Sequence, residues 1–226
     1  SLFSPIQCAS LLALLLCYYF RLESAKKRND YTDMITDLIK KSKPNILPDS
    51  IHQLLNSEKM SLITRMELPS GTAKNNALTD NIFVLFTCIV NKIPVVLCGE
   101  PGSSKTSAVQ IIISNLKGKK SHDEFFQKLP ELVAVSFQGS QNCTSESITT
   151  VFERADKYAN TQSEIQLLPV IVFDEIGLAE ISPHNPLKVL HSELEIERCR
   201  HGFVGLSNWR LDASKMNRAV YLACPE

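Results

Sequence analysis

Apolar residues in this chain fall into short runs, and longer stretches with helical spacing of apolar positions separate them. The short runs are typical of buried strands. There are five of them: Val95–Cys98, Leu132–Ser136, Leu167–Phe173, Phe203–Leu206 and Ala219–Ala223. The main predicted helices are Asn75–Val90, Thr106–Leu116, Glu146–Tyr158 and Leu187–Glu197. This alternation predicts an α/β fold in which helices cover both faces of a five-stranded parallel sheet.

The N-terminal part of the chain has a different pattern. Leu11–Phe20 is an uninterrupted apolar run of ten residues, about half of the ~20 that a membrane-spanning helix needs. No positive charge precedes it, so a buried helix is favoured over a signal peptide or a membrane anchor. A second helix is predicted over Tyr31–Lys41, with one apolar face formed by Tyr31, Met34, Ile35, Leu38 and Ile39.

Breaks in the pattern suggest three regions. Lys43–Pro48 contains two prolines and interrupts the helical spacing, a short helix follows over Ile51–Ser57, and Pro69–Thr72 predicts a turn. We therefore expect a helical segment over 1–43, a linker with a short helix over 44–74, and a subdomain that contains the sheet over 75–226. No internal repeat or low-complexity tract is present.

The first predicted strand leads into a candidate phosphate-binding loop, which runs from Gly99 to Thr106. It fits the pattern G-x-x-x-x-G-K-[ST] except that Ser104 stands where the second glycine is expected. In such a loop the backbone N–H groups and the helix N-terminus face the phosphates, and Lys105 neutralises their charge. The hydroxyl of Thr106 is placed to bind Mg²⁺.

Two further strands end in polar residues that complete this chemistry. Asp174 and Glu175 follow the third strand, where a first carboxylate holds Mg²⁺ and a second activates the attacking water. Asn208 ends the fourth strand, at the position where ATPases of the AAA+ class carry sensor 1. Arg218 follows a short predicted helix and is a candidate arginine finger for the nucleotide of a neighbouring module. Taken singly, each of these residues is equally typical of a strand end or a helix terminus.

Composition bears on three further questions: nucleic-acid binding, the state of the cysteines and the presence of a zinc site. Lys+Arg and Asp+Glu both number 24, so the net charge gives no support for nucleic-acid binding. The seven cysteines form no C-x-x-C pair, which favours reduced, buried thiols of a cytosolic protein. Cys199, His201 and His191 lie close together in the sequence, but no second pair of ligands accompanies them, so a zinc site is not expected.

Three segments resemble the mysterin family of giant cytosolic AAA+ ATPases that are also RING-type E3 ubiquitin ligases: Gly99–Thr106, Phe173–His191 and Gly205–Arg218. The similarity continues upstream through Leu11–Arg21 and Asn75–Val90, so it covers nearly the whole chain, and it is closest to one AAA+ module, the fourth. Ser104 in place of glycine resembles this family's own variant of the loop. The Phe173–His191 segment is the most specific part of the match.

The resemblance implies functions for single positions. Walker B is formed by Asp174 and Glu175, sensor 1 is Asn208, and Mg²⁺ is bound through Thr106 and Asp174. The residues implied to bind ATP are Gly99, Glu100, Pro101, Gly102, Ser103, Ser104, Lys105, Thr106 and Ser107.

The resemblance also implies a setting for the chain. The neighbours would be AAA+ modules of the same polypeptide, arranged in a dynein-like ring in the cytosol, with lipid droplets as a possible site of association. Nothing in the sequence resembles a RING, so contact with the ubiquitin machinery is expected only through other parts of that polypeptide. The helical lid of the module is expected beyond Glu226, and 1–43 is a candidate for the lid of a preceding module.

Two functions remain open from the sequence. The module is either an ATPase, which Glu175 and Asn208 favour, or a module that binds ATP without hydrolysing it and braces the ring. A P-loop kinase or a membrane-anchored NTPase is a more remote alternative, because the Asp174–Glu175 pair followed by a sensor strand is not typical of kinases.

Overall fold

The sheet of this protein has five parallel strands, as the sequence predicts. A computed structural model describes residues 3–47, 49–161, 166–195 and 200–224, except for the side chain of Met216. The strands are β1 (Val95–Cys98), β2 (Glu131–Gln138), β3 (Leu167–Asp174), β4 (Gly202–Ser207) and β5 (Val220–Ala223). Their order across the sheet is β2-β3-β4-β1-β5, and every pairing is parallel. This arrangement confirms the α/β fold class.

Helices fill the connections because parallel strands need long crossovers. After β1 come α5 (Lys105–Asn115) and the short α6 (Glu124–Gln127), and after β2 comes α7 (Ser145–Ala159). The β3–β4 connection holds α8 (Ile176–Glu180) and α9 (Leu190–Glu193), and α10 (Ala213–Met216) precedes β5. Ahead of the sheet lie α1 (Pro5–Cys17), α2 (Ala25–Lys40), α3 (Ser50–Thr64) and α4 (Asn76–Val90).

Successive residues of the central strands enter two different cores. In β1, Val95 and Leu97 belong to one apolar cluster, whereas Val96 and Cys98 belong to another. Because neighbouring side chains of a strand point to opposite faces, these clusters cover the two faces of the sheet. The first cluster includes α1, α3, α4 and α5, and the second includes α7 together with residues of α8 and α9. The predicted three-layer arrangement is confirmed.

The N-terminal helices pack on the face that α4 and α5 cover. Leu15, Phe20, Ile51 and Leu55 are each at most 2% exposed and share one apolar cluster with the sheet. The predicted buried helix is therefore present, although parts of its apolar run, including Tyr18, are exposed. This cluster contains residues from all three predicted regions, 1–43, 44–74 and 75–226. The boundaries between these regions therefore stay predictions. Within the described part of the chain, no helix combines the length and apolar character needed to cross a bilayer.

The apolar face predicted for α2 is correct only in part: Tyr31, Ile35 and Ile39 are partly buried and pack against the apolar clusters. Met34 and Leu38 are about half exposed, and the buried positions of this helix are instead the polar residues Arg28, Thr32 and Thr36. These side chains are buried because they have polar partners: Arg28 lies 3.1 Å from Asp80, and Thr32 Oγ1 lies 2.8 Å from Nε2 of His52. These partners lie on other helices, so the sequence of α2 alone does not show that its polar residues are buried.

Three predicted helices differ in extent. The short helix predicted over Ile51–Ser57 is the 15-residue α3, which buries its apolar side chains against α4. The helix predicted over Leu187–Glu197 is a 3₁₀ turn, Pro186–Val189, followed by the four-residue α9; residues 196–197 lie outside the described part. The helix predicted over 211–218 spans only Ala213–Met216. Pro186 and the capping residue Asp212 set the starts of these short elements.

Candidate nucleotide site

Strand order explains why residues far apart in the sequence meet. β3, β4 and β1 are adjacent, so their carboxyl ends lie side by side at one edge of the sheet. The phosphate loop follows β1, Asp174 and Glu175 lie at the end of β3, and Asn208 follows β4. A cleft of about 350 Å³ opens at this edge. Its lining consists of Pro101, Gly102, Ser103, Ser104, Lys105, Thr106, Ser107, Asp174, Glu175 and Asn208.

The phosphate loop has the tight backbone that its glycines suggest. Gly102 has φ +85° and Ser104 has φ +62°, so both lie in the left-handed region. Ser104 thus adopts the conformation that favours glycine at this position of the pattern. Gly99 is needed for another reason: a Cβ atom there would lie 2.6 Å from Cβ of Cys224. The loop therefore packs directly against the residue that follows β5.

Lys105 is the first residue of α5 and is 8% exposed. Its ammonium group donates to the carbonyl oxygens of Gly99 (2.6 Å) and Glu100 (2.9 Å) and to Oγ of Ser103 (3.2 Å). Gly99 and Glu100 do not line the cleft, and their role in the geometry is to anchor this lysine. The ammonium group thus lies within the loop, at the N-terminus of α5, where helix and lysine charge both favour an anion.

Asn208 and Glu175 are in direct contact, which the sequence could not establish. Nδ2 of Asn208 lies 2.9 Å from Oε1 and 3.0 Å from Oε2 of Glu175. Glu175 has φ +51°, and its backbone N–H donates to Oδ1 of Asp174 at 2.9 Å. This turn directs both carboxylates toward the cleft. The amide of Asn208 orients the Glu175 carboxylate.

Gly139 is a residue of this site that the sequence analysis missed. It follows β2 and donates its backbone N–H to the carbonyl of Asp174 at 2.8 Å. A Cβ atom at Gly139 would lie 2.2 Å from the backbone oxygen of Glu175, so only glycine fits without movement of the backbone. A glycine three residues after the predicted strand Leu132–Ser136 was the signal available in the sequence.

A second cleft of about 460 Å³ adjoins the first and shares Ser104 and Ser107 with it. Its other walls come from the chain around the predicted turn, including Pro69 and Thr72, and from Gln110 on α5. The sequence predicted that turn but gave no reason to place it beside the phosphate loop.

Arg218 lies away from both clefts. It is exposed and lines a pocket of about 490 Å³ together with Asn91, Lys92 and Pro94, which directly precede β1. This pocket is at the amino edge of the sheet, opposite the phosphate loop. The structure therefore does not bring Arg218 to the chain's own cleft, and its predicted action on a neighbouring module remains a prediction.

The thiols beside the loop are protonated at neutral pH. Burial raises the pKa of Cys98 and that of Cys224 above the ordinary thiol value. All six described cysteines are free, and Cys17 is exposed, so the expectation that the thiols are buried holds only in part. In the described ranges no group of three or more His, Cys, Asp and Glu side chains is placed to hold a metal ion. Cys199 lies outside those ranges.

Comparison with known proteins agrees with this geometry. A family model described as the RNF213 AAA domain matches residues 71–226, and the matched region includes the phosphate loop, Asp174, Glu175 and Asn208. The chain belongs to this family. RNF213 and mysterin are names of the same family, so the resemblance stated from the sequence is confirmed. Membership makes the chain an AAA+ P-loop module of the nucleotide-binding type.

The similar proteins are much longer than this chain. The E3 ubiquitin-protein ligase RNF213 of Homo sapiens is 34% identical over 97% of this chain and 4% of its own length. The E3 ubiquitin-protein ligase rnf213-beta of Danio rerio is 38% identical over 77% of this chain and 4% of its own length. Among solved structures, C. elegans PCH-2 is 18% identical with a TM-score of 0.47, covering 75% of this chain and 47% of that one. At that score the likeness adds nothing to the family assignment.

Proposed function

We propose that this AAA+ module binds ATP at the carboxyl edge of its sheet and hydrolyses it with Mg²⁺. The observation that carries the proposal is the contact between Asn208 and Glu175 in the same cleft as Lys105. A carboxylate that is oriented by an amide and lies beside a phosphate loop has the arrangement needed to activate water. A module that only held ATP would have no use for this pair.

Binding would use the two adjoining clefts. Lys105 and the backbone N–H groups from Gly102 to Thr106 would contact the β- and γ-phosphates, with the α5 N-terminus adding its partial positive charge. The second cleft is lined by Leu78, Ile111 and the aliphatic parts of Pro69 and Thr72, an apolar wall of the kind that accepts a flat base. Ser104 and Ser107 lie where the two clefts meet.

The oxygen donors in the cleft fit Mg²⁺. Thr106 offers a hydroxyl and Asp174 a carboxylate, both lining the same cleft, and Mg²⁺ prefers one or two such protein oxygens together with phosphate oxygens and water. When bound, the ion neutralises charge that develops on the phosphate oxygens. Thr106 and Asp174 would hold it, and Lys105 would contact the same phosphates from the loop side.

Hydrolysis would depend on Glu175. Its carboxylate accepts a proton from a water whose oxygen forms the new bond to the γ-phosphorus, while the bond to the bridging oxygen breaks and ADP carries that electron pair away. Asn208 keeps the carboxylate pointed at the water rather than free to rotate. Arg218, at the opposite edge of the sheet, would act on the nucleotide of the adjacent module, so this chain in turn needs an arginine from a neighbour.

A second candidate is a module that holds ATP without turnover and braces a ring of modules. This candidate is favoured because Arg218 lies at the opposite edge of the sheet. Among the described residues, no other arginine lines the ATP cleft either. Without an arginine from a neighbour, transition-state charge is stabilised by Lys105 and the metal alone. The two candidates differ only in turnover, so one experiment separates them.

The larger setting is proposed from the relatives. Because the relatives are named E3 ubiquitin-protein ligases, we propose that this module serves within a longer cytosolic polypeptide of that kind, beside further AAA+ modules. Ubiquitin transfer would then be carried out by other parts of that polypeptide. Association with lipid droplets belongs to the same proposal.

The test is ATP binding and turnover by the chain together with its neighbouring modules. Wild type should turn over ATP, Glu175→Gln should retain ATP without hydrolysing it, and Lys105→Ala should lose binding. Lys92→Ala, a lysine at the opposite edge, is the matched control and should bind ATP as wild type does. If wild type holds ATP unchanged and Glu175→Gln behaves identically, the brace is correct and the roles of Glu175 and Asn208 in catalysis are wrong.

A further inference from the structure

Helix α4 carries two adjacent polar residues that the proposed reaction does not use. Asp80 is 7% exposed and Asn81 is 2% exposed, although both lie in a helix whose other buried positions are mostly apolar. Residues next to each other in a helix point about 100° apart, so the two side chains face different neighbours. A buried charge and a buried amide are retained only where each has partners, which makes those partners informative.

Asn81 faces the phosphate loop. Its Nδ2 donates to the backbone oxygen of Ser103 at 2.8 Å, and its Oδ1 accepts from Sγ of Cys224 at 3.4 Å. The hydroxyl of Ser103 donates to the carbonyl of Glu100 at 2.7 Å and lies 3.2 Å from Nζ of Lys105. A single side chain of α4 therefore holds the middle of the loop, one contact away from Lys105, which is proposed to contact the phosphates.

Asp80 faces the N-terminal helices. Its Oδ2 lies 3.1 Å from Nη1 of Arg28 on α2, and its Oδ1 lies 2.8 Å from Nζ of Lys59 on α3. Arg28 also donates through Nη2 to the carbonyl of Ala223 at 2.9 Å and through Nε to that of Leu22 at 2.9 Å. Ala223 is the residue before Cys224. The ion cluster therefore holds two elements in place: α4, which carries Asn81, and the end of β5, which leads into Cys224.

The strength of this cluster comes from its burial. Arg28 is 4% exposed, so its guanidinium has exchanged water for Asp80 and two carbonyl oxygens. Removing one partner of a buried pair leaves a charge uncompensated, which makes displacement of α2 from α4 costly. A shift at Asp80 is transmitted to Asn81 because the two residues share one helical turn.

We propose that Asn81 is a positioning residue for the phosphate loop, and that the Arg28–Asp80–Lys59 cluster couples docking of the N-terminal helices to ATP binding. The inference rests on the proposed ATP site. Helices α2 and α3, which lie outside the matched AAA region, then set the affinity of a site to which they contribute no lining residue.

The first experiment measures the Kd of ATP by calorimetry, with the full chain, at a temperature where every variant is folded. Asn81→Ala removes the donor to Ser103 and should weaken ATP binding about tenfold, the equivalent of one buried hydrogen bond. Ser121→Ala is the matched control: Ser121 is also buried and polar, it lines neither cleft, and its Oγ accepts from the backbone N–H of Lys117 at 2.9 Å. It should lower the unfolding midpoint and leave the Kd unchanged.

The second experiment tests the coupling with a double-mutant cycle. Arg28→Met should weaken ATP binding about fivefold in the wild-type background and have no further effect in Asn81→Ala, because the two changes act through one contact. Arg65→Met removes the more exposed pair with Asp123 and should not change the Kd in either background. If Arg28→Met does not fold, Arg28→Lys replaces it, since lysine keeps the charge but has fewer donors.

The outcomes separate this inference from the proposed function. If wild type does not bind ATP, the proposed function fails. If wild type binds ATP and Asn81→Ala binds it equally well, only the positioning role is overturned. Additive effects of Arg28→Met and Asn81→Ala would overturn the coupling.

Discussion

Ser104 offers the sharpest test of how the phosphate loop is built. With φ +62° it holds an L-residue in the left-handed region, which costs about 1–2 kcal/mol relative to ordinary helical backbone. Its side chain forms no capping hydrogen bond to α5, so a change to glycine removes no such bond. Glycine pays about 0.5–1 kcal/mol of extra chain entropy on folding, which offsets part of the relief. Ser104→Gly should therefore raise the free energy of unfolding by about 0.5–1 kcal/mol.

Ser107 provides the matched comparison, because it lies three residues further on within α5 and has ordinary helical geometry. Glycine there should lower the free energy of unfolding by about 0.5 kcal/mol, since glycine is a poorer helix former than serine. For a chain of this size the two variants should shift the midpoint in opposite directions, by about 1–4 °C for Ser104→Gly and about 1–2 °C for Ser107→Gly.

The assay is thermal unfolding followed by circular dichroism without nucleotide, supported by urea titration at 25 °C. Equal and negative shifts for both glycine variants would refute the reasoning, because they would mean that the left-handed backbone of Ser104 is not strained. A third variant, Ser104→Val, sharpens the result: a β-branched residue is a genuine outlier at positive φ and should destabilise the chain.

Three further predictions concern the site and the core. Asn208→Ala should lower ATP turnover by about 10²–10³-fold and change the Kd of ATP less than threefold, because it orients Glu175 and leaves the phosphate loop intact; a Kd that rises as much as turnover falls would contradict this. Gly139→Ala should reduce both stability and turnover, since its Cβ meets the backbone oxygen of Glu175; unchanged unfolding and turnover would show that the site tolerates the shift. Burial lowers the pKa of His201, 3.6 Å from Asp156, so its contribution to stability is complete above the unfolded-state pKa of about 6.5 and is lost as pH falls toward the folded-state pKa. His201→Gln should flatten the pH dependence of the unfolding midpoint between about pH 7.5 and 5.5, and an unchanged slope would assign that dependence to other groups.

The β-strands and the phosphate loop were predictable because their information is local. The four apolar residues Val95–Cys98 are enough to predict a strand. The loop after this strand is defined by glycines, Lys105 and Thr106 within one short segment. Helices with a strong apolar face, such as α4 and α7, were also predicted within two residues of their ends. Errors arose where a helix buries polar residues, as in α2, or where its length depends on what it packs against, as in α3.

The fold class and the set of residues at the carboxyl edge of the sheet could be predicted from the sequence alone. Strand propensity, glycine turns and the positions of Asp174, Glu175 and Asn208 at strand ends are properties of short segments, and parallel strands bring their ends to one edge. Which of these side chains are in contact depends on the packing of the whole chain. The bond between Asn208 and Glu175 spans 33 residues, and that between Arg28 and Asp80 spans 52. Buried polar groups are stable only with such distant partners, so their placement is decided by the packed fold as a whole.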